Sequence, residues 1–77
     1  MLYIEYARRK KGWTQLQLSQ ASRIASWFIW ALENSQGIPQ ADQLDRLSRV
    51  LEIPADMLLK EVVTEIDLAA KSEAAHV

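Results

Sequence analysis

Seventy-seven residues, 49% of them apolar, are enough for one hydrophobic core and too few for two, because small chains bury only a modest share of their surface. The chain has no cysteine, which excludes a disulfide framework and a thiolate metal site, so the core must hold the fold unaided. The formal charge of -1 is unevenly spread: residues 1–40 carry five basic against two acidic side chains, residues 41–77 four against eight, so a polyanion would meet the N-terminal half.

Two glycines and two prolines beside many Leu, Ala, Gln, Glu and Arg describe an all-α chain with short connections. Residues 2–11 read as a first helix, with Tyr3, Ile4 and Ala7 on one face and Gly12 as its stop. Its end is the basic run Arg8-Arg9-Lys10-Lys11, which serves a polyanion or simply suits the negative end of the helix dipole. Thr14 with Gln17 three residues on matches a capping box opening a second helix, whose inward residues are Leu18 and Ala21. After a break at Ser22-Arg23, residues 26–34 form a third helix in which Ile29 and Leu32 share one side and Ile24 packs in ahead of it. Ser35-Gln36-Gly37-Ile38-Pro39 ends that helix.

A fourth helix over residues 41–51 carries the stripe Leu44, Leu47, Val50 and Leu51, with Asp42, Asp45, Arg46 and Arg49 outside. Ile53-Pro54 interrupts, and Pro54 suits the start of a fifth helix near Ala55 with Met57, Leu58, Val62 and Ile66 as its apolar positions. From Thr64 onward the chain is alanine-rich and acidic and either continues as a helix or frays, which divides it into a domain of residues 1–63 and a tail of residues 64–77. No apolar run approaches the ~20 residues of a membrane span, and Met1-Leu2-Tyr3-Ile4-Glu5 lacks the basic and apolar regions of a secretory signal, so a cytoplasmic protein is expected.

Nothing in the chain points to catalysis. The single histidine, His76, sits next to the C-terminus, where side chains are seldom held for chemistry. Asp42 with Asp45 and Glu61 with Glu65 read as solvated helix faces, and there is neither a glycine-rich phosphate loop nor a metal-ligand cluster. A non-enzymatic protein without cofactor or metal is expected.

The third helix carries the most information. At about 100° per residue, turning Ile29 and Leu32 inward leaves Trp27, Trp30, Ala31 and Asn34 outward and Phe28 at the margin. Three placements are open to the two tryptophans: against DNA, against a partner protein, or back onto the first helix or the C-terminal segment.

Gly12-Trp13-Thr14-Gln15, Leu18, Ile24, Ile29, Leu32-Glu33-Asn34, Pro39, Leu44, Leu47 and the run from Leu51-Glu52-Ile53-Pro54 to Leu59 strongly resemble the Xre-type family, to which phage repressors and Cro belong. The resemblance runs without a gap from about Ile4 to Leu59. It implies a five-helix lambda-repressor-like helix-turn-helix domain, here with a C-terminal extension, that binds double-stranded DNA as a homodimer and regulates transcription as a repressor. In such a family Gln15 falls where a side chain meets a DNA phosphate, while Ser26, Trp27 and Ala31 fall where base edges are read, with Trp30 on the same outward face. Asn34 and Gln36 fall at positions that touch the DNA backbone, and Arg8 and Glu33 where an ion pair ties the first helix to the end of the third. The homodimer interface is expected over residues 57–70, with Leu58, Val62, Ile66 and Ala69 on one helical face.

Two departures from the family stand out. Arg23 and Ser35 occupy places where the family often has glycine, and where φ > 0 would be costly unless Asn34 or Gly37 takes the second reversal. The stretch from Ser35 to Gln43 has no Lys or Arg, which leaves neutralisation of a DNA backbone to Arg9, Lys10, Lys11 and Arg23. The alternative is a helix-turn-helix fold used as a protein-interaction module through the apolar Trp27/Trp30 face.

Overall fold

The computed structural model describes residues 1–63, in which four α-helices follow one another: α1 (Tyr3–Lys10), α2 (Gln15–Ser22), α3 (Ser26–Glu33) and α4 (Ala41–Leu51). Residues 64–77, including Glu65, Ile66, Ala69 and His76, lie outside the described part. The core takes Leu2, Ile4 and Ala7 from the start of the chain, Leu18 from α2, Ile24, Ile29 and Leu32 from α3 and the turn before it, and Leu47, Leu51 and Leu58 from the rest. Trp13, Phe28, Leu44, Val50 and Ile53 pack around it, half-buried. Ala21, expected inward, is exposed; Ser22 takes the buried place, its hydroxyl donating to the Leu18 carbonyl at 2.7 Å so that no polar atom is stranded.

Helix ends explain the connections. At α2 the capping box is formed: the Thr14 hydroxyl accepts from the Gln17 amide at 3.1 Å, and the Gln17 side chain accepts from the Thr14 amide at 2.8 Å. Gly12 closes α1 with φ 73°. Closure of α2 and α4 is accomplished without glycine, at Arg23 and Glu52, both with φ 60°. One local device supports both reversals. Ser19 Oγ donates to the Ile24 carbonyl after Arg23, and Ser48 Oγ donates to the Ile53 carbonyl after Glu52. The Ile24 and Ile53 amides meanwhile donate back to the Ser19 and Ser48 carbonyls, and both isoleucines pack into the core.

Ser35, at φ 59°, carries the reversal after α3, so neither Asn34 nor Gly37 does. Gly37 has a different reason to be small: a Cβ there would stand 2.9 Å from Phe28 Cε1 and 3.3 Å from Leu32 Cδ2.

No fifth helix forms over the described residues. A single 3₁₀ turn, Ala55–Met57, follows Pro54, and the chain then runs extended beside the N-terminus, with an isolated antiparallel bridge between Leu2 and Glu61. The cause lies at the start of α1, whose N-cap Leu2 has no side chain able to satisfy the orphan amides of the first turn. The carbonyls of Leu58 and Lys60 accept those amides instead, from Ile4 and Tyr3, each at 2.9 Å, and Val62 donates to the Met1 carbonyl at 2.9 Å. Carbonyls used to cap α1 are not free to build a helix of their own. Leu58 is thus fully buried in the core, and the helical face expected of Leu58 and Val62 does not exist.

Candidate nucleic-acid interface

Helices α2 and α3 are joined by the tight turn at Arg23, and α3 is pinned at its C-terminal end from beneath. Glu33, with a side chain only 2% exposed, accepts from Arg8 Nε at 2.7 Å and from Arg8 Nη2 at 3.0 Å, a bidentate pair. Arg8 Nη1 also donates to the Trp13 carbonyl at 2.7 Å, and Gln15 Nε2 donates to Glu33 Oε1 at 3.1 Å. One carboxylate therefore gathers the end of α1, the start of α2 and the end of α3. The hydrogen bonds to Glu33 hold the Arg8 guanidinium above its ordinary pKa, with burial opposing them.

This network positions the outward face of α3. Ser26 is exposed at its start, Trp27 is 71% exposed and Trp30 48%, and Ala31 is half-buried between them and Asn34. Trp27 leans edge-on against Phe28, ring centroids 5.5 Å apart. Neither tryptophan returns to the core. Asn34 is exposed but engaged, its Nδ2 donating to the Trp30 carbonyl at 2.8 Å and so capping its own helix. The Gln36 side chain is exposed beyond the reversal at Ser35, while its amide donates to the Ala31 carbonyl at 2.8 Å. Gln15 stands apart from this set, half-buried and turned toward Glu33.

A further residue joins the face that sequence reasoning passed over. Ile38, 92% exposed, lines with Ile24, Ala25, Trp27, Phe28, Gln40 and Gln43 an open groove of about 240 Å³ alongside α3. The signal was available in Gly37-Ile38-Pro39: an apolar residue between a glycine and a proline has no helix stripe to join.

The cations sit elsewhere. Arg9 pairs with Glu5 at 2.7 Å, Lys11 with Glu52 at 3.4 Å, Arg46 with Asp42 at 3.2 Å and Arg49 with Asp45 at 3.1 Å. Lys10 lies over the Tyr6 ring, 5.3 Å from its centroid. Lys10 and Lys11 line a second groove, between α1 and the end of α4, with Tyr3, Tyr6, Leu51 and Ile53. Arg23, at the turn before α3, is the cation nearest in sequence to the outward face, and it has no ion-pair partner among the described residues. Among the described residues no group of acidic or histidine side chains could hold a metal ion, and no helix is long and apolar enough to cross a membrane.

Compared with known proteins, residues 4–58 match a family described as helix-turn-helix, a span that takes in all four helices except the first residue of α1. No curated protein and no solved structure matches the chain.

Proposed function

The chain belongs to the Xre-like helix-turn-helix family of DNA-binding regulators, and from that membership we propose that it is a cytoplasmic, sequence-specific transcriptional repressor that inserts α3 into the major groove. The observation that carries the reading is the outward face of α3, presented on a helix whose far end is fixed by the buried Arg8–Glu33 pair. A major groove about 12 Å wide admits such a helix. The edges of Trp27 and Trp30 and the Ala31 methyl then lie against thymine methyl groups, and Ser26 donates or accepts at a base edge. Asn34 and Gln36 meet the sugar-phosphate backbone, Gln15 leaves Glu33 to reach a phosphate from the start of α2, and Arg23 supplies the nearby positive charge.

One eight-residue recognition helix reads few base pairs, so the protein acts as a homodimer on two half-sites about one helical turn apart. Its interface on DNA must leave α3 free. The extended edge with exposed Leu59 and Val63, together with residues 64–70, is the proposed place.

Binding that rests on few unpaired cations has a shallow salt dependence, since the slope of log K against log salt is about -0.9 per neutralised phosphate. Titration of genomic fragments against random duplex at several salt concentrations tests the proposal. A selected fragment bound with a slope no steeper than about -4 for the dimer is expected, and no preference for any fragment would refute sequence-specific reading. Trp27→Ala and Trp30→Ala should melt like the parent yet lose that preference; a variant that melts normally and still selects the fragment removes its tryptophan from the reading surface.

A second reading is favoured by the exposure of Trp27 and Ile38: the same face binds a protein, because desolvated tryptophans anchor interfaces and contiguous apolar surface marks them.

A further inference from the structure

We infer that the outward face of α3 is a self-association surface: two copies of this chain pair face to face, Trp30 of each entering the groove beside Trp27 of the other, and the pairing hides the surface proposed to read DNA. The masking rests on the DNA reading of α3; the pairing does not.

Charge is the first argument. From Ile24 to Ala41 the only ionisable side chain is Glu33, which is buried and neutralised by Arg8. A stretch without exposed charge can be brought against its own two-fold copy with no like-charge contact inside it, Arg23 lying just ahead of it in the chain. Shape is the second. The groove lined by Ile24, Ala25, Trp27, Phe28, Ile38, Gln40 and Gln43 is open, uncharged and about 240 Å³, room for an indole ring. Trp30 stands one helical turn beyond Trp27 on the same side of α3, so a two-fold axis between them sets each knob opposite the other copy's hole.

Size is the third argument, and it sets the strength. Aromatic side chains bury about 150–250 Å² each, so two tryptophans and Ile38 from each copy give an interface of roughly 1,000 Å², at the low end for specific complexes. The association is therefore weak and concentration-dependent, which lets DNA compete with it.

Sedimentation equilibrium of the 77-residue chain from roughly 10 μM to 1 mM is the test, with Ile38→Lys and Trp30→Glu beside the parent and circular dichroism to verify their folding. Ile38 is almost wholly exposed, so its replacement does not threaten the fold. The parent should dimerise within that range, and both variants should dimerise at least tenfold more weakly. A parent that stays monomeric at all concentrations, or variants that dimerise like it, overturns the inference. Because the chain has no cysteine, Ile38→Cys can be joined to a second copy by a short bis-maleimide at that position alone. The joined pair should bind no duplex that the unjoined protein binds; equal binding overturns the masking. A parent that dimerises through this face but binds no duplex upholds the interface and overturns the DNA reading, and one that binds duplex without ever pairing does the reverse.

Discussion

Removing one partner of the Arg8–Glu33 pair should be among the costliest single changes in the chain, and removing both should cost no more than removing one. Arg8→Met leaves the Glu33 carboxylate, 2% exposed, with Gln15 Nε2 at 3.1 Å as its remaining side-chain donor, and it strips the Trp13 carbonyl of its 2.7 Å bond to Arg8. An uncompensated buried charge costs about 3–5 kcal/mol. A domain of this size has about 4–11 kcal/mol in total, so the single variants approach the limit of folding. Arg8→Met with Glu33→Leu removes both charges while keeping the volume, and its penalty reduces to the Trp13 carbonyl and the Gln15 amide, about 1–3 kcal/mol at these partly exposed sites. The coupling between the two positions is then at least about 3 kcal/mol. Urea unfolding followed by far-ultraviolet circular dichroism measures it, provided the four proteins share one m value. The raised pKa of Arg8 gives the sign of its pH dependence: its stabilisation is fully present below the unfolded value and lost only as pH rises through the folded one. The arginine's part in the coupling should stay flat from about pH 6 to about pH 9. Costs that add within about 0.5 kcal/mol would refute the reasoning.

Arg23→Gly and Ser35→Gly should each stabilise by about 0.5–1 kcal/mol, because the left-handed conformation costs an L side chain about 1–2 kcal/mol and glycine's extra entropy offsets part of the relief; lower melting temperatures would contradict this. Gly37→Ala should destabilise by about 1–3 kcal/mol through overlap with Phe28, and a variant that melts like the parent would show that the ring yields freely. Thr14→Ala should cost about 1 kcal/mol by opening the capping box, measured by the same urea midpoints. Leu58→Ala should cost about 2–5 kcal/mol, as expected of a core residue and not of an exposed interface, and a loss under about 1 kcal/mol would place it outside the core.

Four helices were legible because their signals are local. Ile4 and Ala7, Ile29 and Leu32, and Leu47 and Leu51 repeat at helical spacing, and Thr14 and Gln17 mark a start by chemistry that operates within one turn. The ends without glycine were harder, yet they too left a trace: Ser19 to Ile24 and Ser48 to Ile53 share one spacing, a serine five residues before an isoleucine that plugs the core. The fifth helix failed because the competitor for its carbonyls lies far along the chain. Met57, Leu58 and Val62 are compatible with a helix on their own, but Leu2 cannot cap α1, and the demand of the Tyr3 and Ile4 amides outweighs local preference.

The same division between near and far governs the surface. Which side of α3 faces outward follows from a rotation of 100° per residue, so Trp27, Trp30 and Asn34 could be placed outward from Ile29 and Leu32 alone. What the cations do could be read only in part. Arg9 with Glu5, Arg46 with Asp42 and Arg49 with Asp45 are four residues apart, a spacing at which helical pairs meet. Lys11 and Glu52 stand 41 residues apart and their pairing is invisible before the chain folds, whereas that of Arg8 and Glu33, 25 residues apart, was legible only through the family resemblance. A basic run that reads as four cations thus reduces, in the folded domain, to Lys10 without an ion-pair partner among the described residues. The electrostatic half of DNA binding is consequently small. On the proposed reading of DNA by α3, discrimination between sequences falls to apolar contact and groove shape, so exchanging thymine for uracil at a contacted position, which deletes only a methyl group, should weaken binding by about 1 kcal/mol or more. Equal affinity for both duplexes would mean that the Trp27 and Trp30 edges do not meet the groove floor.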